Sequence, residues 1–311
     1  MSDLQTRFEA FDELSHRTPC ERPSKLISTF KIEPTLWEHL KHAAALYVSK
    51  CLPGNKLILD EHELLANCVK HEQEIKNLTP NGMLVPKRHT ILEYNALVQA
   101  YAAIIRSLKI DDLIVSWHVP LNLRIKFGEV NQANLKRHHP TEDIHSDSWA
   151  GESSESVTTQ LPLFGDTERN FVDFYEPPSD FQDDWLKPLP SYAAGAAIAA
   201  KYKKLGGNYY RKGFIALADF ATLHSSHREP GSEPRASIDT TFVLKKKLKP
   251  GEKEKIHQWR DGERADHKVL MGIGETHLFV FPDTVDQKVD SEGGFKHPTN
   301  LKIVEVLRHG N

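Results

Sequence analysis

The sequence predicts an α+β protein in which a helical first third supports an antiparallel, two-sheet β core. Helical spacing of apolar residues with clear start signals dominates before residue 110. After residue 110 the chain switches to two-residue alternation, in short segments separated by Gly/Pro/Asp-rich connections. No low-complexity linker separates the two textures. Residues 1–110 are therefore expected as a helical portion packed on a 111–311 core, the whole forming one integrated domain.

In the first portion, Thr35-Leu36-Trp37-Glu38 has the spacing of a capping box. Leu36, Leu40, Ala43, Ala44 and Val48 follow on one helical face. Asp60 to Leu78 is a second helix candidate, with Leu64, Leu65, Cys68 and Val69 on one side. Thr90-Ile91-Leu92-Glu93 repeats the capping box and opens the strongest helix, whose buried stripe is Leu97, Val98, Tyr101, Ile104, Ile105 and Leu108. Pro53-Gly54, Pro80-Asn81-Gly82 and Pro86 break these segments.

In the second portion, Leu113 to His118 is a short apolar run. Leu121, Leu123, Ile125 and Phe127 then alternate with Asn122, Arg124 and Lys126, the period of a half-buried strand. Further strands are expected at Val157–Phe164, Phe171–Tyr175, Gly213–Ala218, Ala236–Leu244, His277–Phe281 and Leu301–Val306. The long connections Asp180–Asn208 and Lys245–Lys268 read as loops or short helices that wall a site. Such a succession of strands indicates a sandwich or barrel.

Composition narrows the function. A net charge of −3 gives no electrostatic case for nucleic acid or for an anionic membrane. The runs Lys245-Lys246-Lys247 and Lys201 to Lys204 read as solvated surface. Cys20, Cys51 and Cys68 are too few and too scattered for a disulfide framework or a zinc cluster. No apolar run is long enough to cross a membrane, and the first residues lack a signal pattern, so a reduced, cytoplasmic setting is expected. His62-Glu63 and His71-Glu72 begin like zinc-protease motifs but lack the second histidine, and no phosphate-binding glycine loop is present.

The pattern that carries chemistry is His145-Ser146-Asp147, then His224, then Arg235-Ala236-Ser237. With 17 His and 43 acidic residues in 311, chance alone yields about two His-x-Asp/Glu triplets, so the weight lies in the context. Residues at i and i+2 on a strand point to one side, which lets His145 and Asp147 reach one metal ion. The strand Gly213–Ala218 leads towards His224, a third ligand, with His227 as its competitor and otherwise a substrate-side residue. Two imidazoles and a carboxylate can hold one face of a ferrous ion and leave the other open to dioxygen. Arg235 and Ser237 share a strand face, and a planar guanidinium matches a carboxylate fork. His138-His139 precedes Pro140 in a polar loop and reads as exposed rather than ligating.

In these residues, over roughly 113–245, the chain resembles the Fe(II)/2-oxoglutarate-dependent oxygenase superfamily. The resemblance implies a double-stranded β-helix (jelly roll, cupin-like) core and iron held by His145, Asp147 and His224. It also implies 2-oxoglutarate held through its distal carboxylate by Arg235 and Ser237. The implied reaction consumes dioxygen, hydroxylates a C–H bond and yields succinate and carbon dioxide. A carboxylate at position 147 favours hydroxylation over halogenation. The substrate is expected to be small and polar, with a sugar or sugar acid, such as one of lipopolysaccharide, as one choice. Trp149, His227, Arg124 and Lys126 are the candidate substrate residues. Two alternatives stay open: a cupin-like metal enzyme that does not use 2-oxoglutarate, and a carbohydrate-binding β-sandwich with incidental histidines.

Overall fold

A computed structural model describes residues 3–54, 56–119, 121–129, 135–207 and 209–244, residue 291, and the short strands 269–271, 278–280 and 302–304. The loop expected at Lys245–Lys268 lies outside the described residues.

The helices are α1 (Asp3–Ser15), α2 (Pro34–Cys51), α3 (Glu61–Lys70) and α4 (Ile91–Ser107), with one further helical turn at Ala196–Ala199. The start of α2 differs from expectation. Pro34 occupies the first turn and Glu33, not Thr35, is the cap, its carboxylate accepting from the amides of Thr35 and Leu36 at 3.0 Å each. Asp60 caps α3 through the Glu63 amide, and α3 stops at Lys70, short of Leu78. Val69, assigned to its buried side, is exposed. The α4 stripe from Leu97 to Leu108 is buried as expected. Thr90 precedes α4, but its hydroxyl points back to the Lys87 carbonyl instead of capping the helix.

The strands are β1 (Glu21–Ser24), β2 (Ile27–Lys31), β3 (Met83–Leu84), β4 (Ile114–Val119), β5 (Asn122–Lys126), β6 (Ser156–Gly165), β7 (Asn170–Glu176), β8 (Lys203–Lys204), β9 (Phe214–Asp219), β10 (Leu223–Arg228), β11 (Arg235–Leu244), β12 (Val269–Met271), β13 (Leu278–Val280) and β14 (Lys302–Val304). Three strands were not expected in the helical portion: β1 and β2 form a hairpin, β2 extends the large sheet beside β9, and the short β3 pairs with β5.

Strand order identifies the architecture. In the large sheet β5 pairs with β11, β11 with β6, and β6 with β9. In the small sheet His145 bridges His224 on β10, β10 pairs with β7, and β7 with β8, all antiparallel. Along the chain the path alternates: β5 large, His145 small, β6 large, β7 and β8 small, β9 large, β10 small, β11 large. A chain that winds between two facing antiparallel sheets in this manner is a double-stranded β-helix, the jelly-roll core.

The two faces of the large sheet differ in chemistry. On β11, Ala236, Ile238 and Phe242 point outward into an apolar cluster that also holds Trp117, Leu123, Leu161, Leu217 and the inner faces of α2 and α4. The alternate residues Arg235, Ser237 and Asp239 point into the barrel, opposite Lys126, Arg124 and Asn122 of β5 and Pro162 and Gln160 of β6. The helical portion thus seals one face of the sheet, and the polar face is left for a site.

Candidate metal and co-substrate site

His145 and His224 meet where the small sheet begins. Each donates its backbone N–H to the other's carbonyl, at 2.9 and 2.8 Å, which fixes two imidazoles side by side with centroids 4.3 Å apart. The Nδ1 of His145 lies 2.7 Å from the Asp143 carbonyl, which selects the tautomer with an N–H there and turns the Nε2 lone pair inward. That Nε2 is buried and has no hydrogen-bond partner. Burial, and then the neighbouring His224, push the His145 pKa well below its ordinary value, so the ring is in the neutral, metal-binding form.

Asp147 completes the group, with Oδ1 3.7 Å from His145 Nε2 and Oδ2 3.9 Å from His224 Nε2. It does so by a different route from the expected one. Only His145 is strand-like, and Asp147 opens the 3₁₀ turn Asp147–Ala150. The turn is pinned by Ser146, whose Oγ donates to the Phe220 carbonyl, and by Ser148, whose Oγ donates to Ser146. His224 also differs in origin. It does not end the strand Gly213–Ala218. The chain turns at Phe220–Thr222 and His224 is the second residue of β10 in the opposite sheet.

The three residues fit a cation. Their ligand atoms lie within 4.8 Å of one another. Cis ligands about 2.1 Å from one octahedral ion sit about 3 Å apart, so side-chain adjustments of about 1 Å or less would close the site. The donor set of two imidazoles and one carboxylate suits a divalent first-row metal.

Tyr192 stacks on the outer face of His145, centroids 4.0 Å apart and planes at 17°. Its 3₁₀ turn (Tyr192–Gly195) is pressed against Trp149 so closely that a Cβ on Gly195 would lie 2.4 Å from the indole. The Asp180–Asn208 connection thereby walls the site as expected. Trp149 itself is fully buried, and its indole N–H donates to the Trp185 carbonyl at 2.7 Å, the position of a packing residue.

Arg235 lies within the barrel, 1% exposed. Its Nη1 donates to the Tyr210 hydroxyl (2.6 Å) and the Ser237 hydroxyl (2.7 Å), and its Nε to Asn170 Oδ1 (2.9 Å). Among the described residues no carboxylate forms an ion pair with it. Burial lowers its pKa, opposed by Tyr210, while Arg228 adds like-charge repulsion. A hydroxyl that accepts from a guanidinium can turn its own proton to another acceptor. Tyr210 and Ser237 therefore extend the arginine into a cluster of donors suited to a carboxylate. Tyr210, Asn170 and Tyr192 were missed from sequence, because each is a common residue made functional only by its partner across the barrel.

The remaining candidates separate clearly. His227 sits on the opposite face of β10 from His224, stacks on Phe171 (4.6 Å) and approaches Asp173. It lies outside the ligand group of the described residues, on the face of β10 turned away from His224. His139 packs edge-on against Tyr192 and is not in the ligand group, and His138 is exposed. Arg124 faces the interior, held by Asp239 through Nε–Oδ1 (2.6 Å) and Nη2–Oδ2 (3.2 Å), with Nη1 buried and unpartnered. Lys126 is also interior, its Nζ 2.5 Å from Thr141 Oγ1. No described helix is long and apolar enough to cross a membrane.

Neither a protein-family profile nor a curated protein matches this chain. Solved structures with a similar fold include AviO1 from Streptomyces viridochromogenes Tue57, at 12% identity and TM-score 0.40, covering 78% of this chain and 96% of that one. EctD from S. alaskensis, solved with 2-oxoglutarate and 5-hydroxyectoine, is similar at 17% identity and TM-score 0.36, covering 85% and 86%. SnoN, a non-heme α-ketoglutarate-dependent epimerase from nogalamycin biosynthesis, shows 16% identity and TM-score 0.36 over 76% and 99%. These likenesses are faint, and the double-stranded β-helix of this chain rests on its own strand order, with a three-residue metal-type cluster at the mouth of the barrel.

Proposed function

We propose that the protein is a non-haem Fe(II)/2-oxoglutarate-dependent dioxygenase that hydroxylates a C–H bond of a polar substrate. The observation that carries the proposal is a conjunction inside one barrel. A buried His145 Nε2 with no hydrogen-bond partner converges with Asp147 and His224, and a buried Arg235, ion-paired to no carboxylate among the described residues, shares the same interior.

His145, Asp147 and His224 would hold the iron on one face. Arg235, with the hydroxyls of Tyr210 and Ser237, would take the distal carboxylate of 2-oxoglutarate and so pair a buried cation that no carboxylate among the described residues meets. Bound iron supplies dioxygen activation coupled to decarboxylation of the co-substrate. The chain supplies orientation and exclusion of water. Tyr192 shields His145 on one side, and the Asp143 carbonyl holds the imidazole in its ligating tautomer.

A polar substrate is supported by the barrel lining, where Arg124, Asn122, Asp239 and Gln160 face inward. A saccharide has no comparable support, since the aromatic residue that would stack on a sugar, Trp149, is committed to packing.

Anaerobic titration of the protein with Fe(II) and then 2-oxoglutarate tests the proposal through the visible metal-to-ligand charge-transfer band. The band is expected in wild type and His227→Ala and absent in His145→Ala and His224→Ala. Its absence in wild type would sink the proposal, and leave a metal enzyme without 2-oxoglutarate or a simple binding module.

A further inference from the structure

Helix α1 carries a cation where its pattern calls for an apolar residue. Leu4, Arg7, Phe11 and Leu14 lie along its buried face, and Arg7 is 9% exposed. A buried guanidinium is costly unless it is paired and hydrogen-bonded, and Arg7 has three partners. Its Nη1 donates to Asp219 Oδ1 (2.8 Å), its Nη2 to the Ser154 carbonyl (2.9 Å) and its Nε to Asp183 Oδ1 (2.8 Å).

The partners belong to three separate segments, and each segment is tied to the metal group. Asp219 ends β9, just before the turn that leads into His224. It also shapes that turn: the same Oδ1 accepts from the Ala221 amide at 2.7 Å, and the Asp219 carbonyl accepts from the Thr222 amide at 2.8 Å. The Phe220 carbonyl in this turn accepts the Ser146 hydroxyl at 3.0 Å, between His145 and Asp147. Ser154 follows the Asp147–Ala150 turn, and the Glu152 amide between them donates to the Asp147 carbonyl at 3.2 Å. Asp183 opens the 3₁₀ turn Asp183–Leu186, whose Trp185 carbonyl accepts the Trp149 indole N–H.

Strand pairing does not set this spacing by itself, because His145 and His224 meet through an isolated bridge rather than a ladder. Net stability is a poor account of Arg7, since a buried ion pair roughly offsets its own desolvation. We propose that Arg7 is a positioning residue for the metal group. It sets the separation of Asp147 from His224, 3.9 Å between Oδ2 and Nε2, through Asp219 and the Phe220–Thr222 turn. The inference rests on the metal-binding part of the oxygenase reading and not on 2-oxoglutarate.

Titration of the full chain with Co(II) alone tests this role, because the visible d–d absorption of the bound ion reports ligand geometry as well as occupancy. Arg7→Gln should weaken Co(II) about tenfold and alter the band. Leu14→Ala, which opens a cavity under the same helix face, should lower the urea midpoint at least as far, yet keep the affinity and band of wild type. Arg7→Lys keeps the charge but loses the fork, so it should recover part of the affinity. Should Arg7→Gln not fold, Asp219→Asn decides: its Oδ1 still accepts from Ala221 while the charge facing Arg7 is gone, and a smaller change in the same direction is expected. Wild-type affinity and band in folded Arg7→Gln, or in Asp219→Asn, would reduce Arg7 to a structural tie and overturn the proposal. Equal weakening in Leu14→Ala would also overturn it, since any loosening of α1 would then suffice. A wild type that takes up no Co(II) removes the metal group and this role with it. Co(II) binding that responds to Arg7, with no charge-transfer band from Fe(II) and 2-oxoglutarate, would support the positioning role and overturn the oxygenase assignment alone.

Discussion

Strand β11 presents two different proteins on its two faces. Outward, Phe242 stacks against Trp117 (6.3 Å), which stacks on Tyr101 of α4 (6.0 Å), in a core that is fully apolar at those positions. Inward, Arg235, Ser237 and Asp239 carry charge and hydrogen-bonding groups into a buried barrel. The pleat separates them with a period of two, so stability and chemistry are encoded on alternate residues of one segment. The consequence is that substitutions one residue apart should break different things.

The largest contrast is between the metal group and the outer core. His145→Ala should reduce turnover to below roughly one-thousandth of wild type by removing a metal ligand, while changing unfolding free energy by about 1 kcal/mol or less. Phe242→Ala should do the reverse, costing about 3–5 kcal/mol in urea unfolding while the surviving folded protein still binds Fe(II). If Phe242→Ala abolished metal binding without loss of stability, the separation of the two faces would be wrong.

The inner face can then be sharpened at Arg235. Arg235→Gln should weaken 2-oxoglutarate by about 2–4 kcal/mol, or roughly 30- to 700-fold, in the charge-transfer titration, with Fe(II) affinity little changed. Arg235→Lys should recover only part of this, because an ammonium keeps charge but loses the fork held by Tyr210, Ser237 and Asn170. Full recovery by lysine would argue against a bidentate site.

How far the sequence revealed these faces follows the same division. The strands that alternate apolar with polar residues, β5, β6, β7 and β11, were legible, and so was the buried stripe of α4. Strand β10 was not: Leu223-His-Ser-Ser-His-Arg carries one aliphatic residue, because it lies between a polar interior and a half-exposed outer face. Asp147 was expected on a strand and occurs on a turn, since Ser146 and Ser148 hydrogen-bond locally and compete with strand pairing. Tyr210 and Tyr192 had no local signal. Their roles come from contacts with Arg235 and His145, which are distant in sequence.

Glu142, which meets Arg228 Nη1 at 2.9 Å and lies 3.8 Å from both Arg137 Nη2 and Lys126 Nζ, allows a test by pH. The three neighbouring cations hold the Glu142 carboxyl down to about 2, against an ordinary 4.5, despite the opposing effect of its own burial. A carboxyl depressed in the folded state stabilises above its unfolded pKa, and the contribution disappears as pH falls through the folded value. Wild type should therefore exceed Glu142→Gln in unfolding free energy by about 2 kcal/mol at pH 6, after discounting for partial exposure. The difference should shrink between pH 4.5 and 2. A gap that stayed constant over that range would mean that Glu142 acts by shape rather than by charge.

The smallest effect is the most specific. Tyr210→Phe removes one hydroxyl that accepts from Arg235 and, in the proposed complex, donates to the co-substrate. The ring stays in place among Phe174, Val172 and Ile27, so packing is retained. Two opposite outcomes are available to this variant. If the hydroxyl merely satisfies Arg235, its loss leaves a buried guanidinium donor unpaired in the free protein, and 2-oxoglutarate, by supplying an acceptor, should bind as well as before or better. If it also donates to the bound carboxylate, 2-oxoglutarate should bind about tenfold more weakly, a loss of about 1–1.5 kcal/mol, with Fe(II) binding and unfolding midpoint nearly unchanged. Weakening is the expected result, because burial keeps the Tyr210 phenol protonated and hence able to donate at every pH at which the protein works.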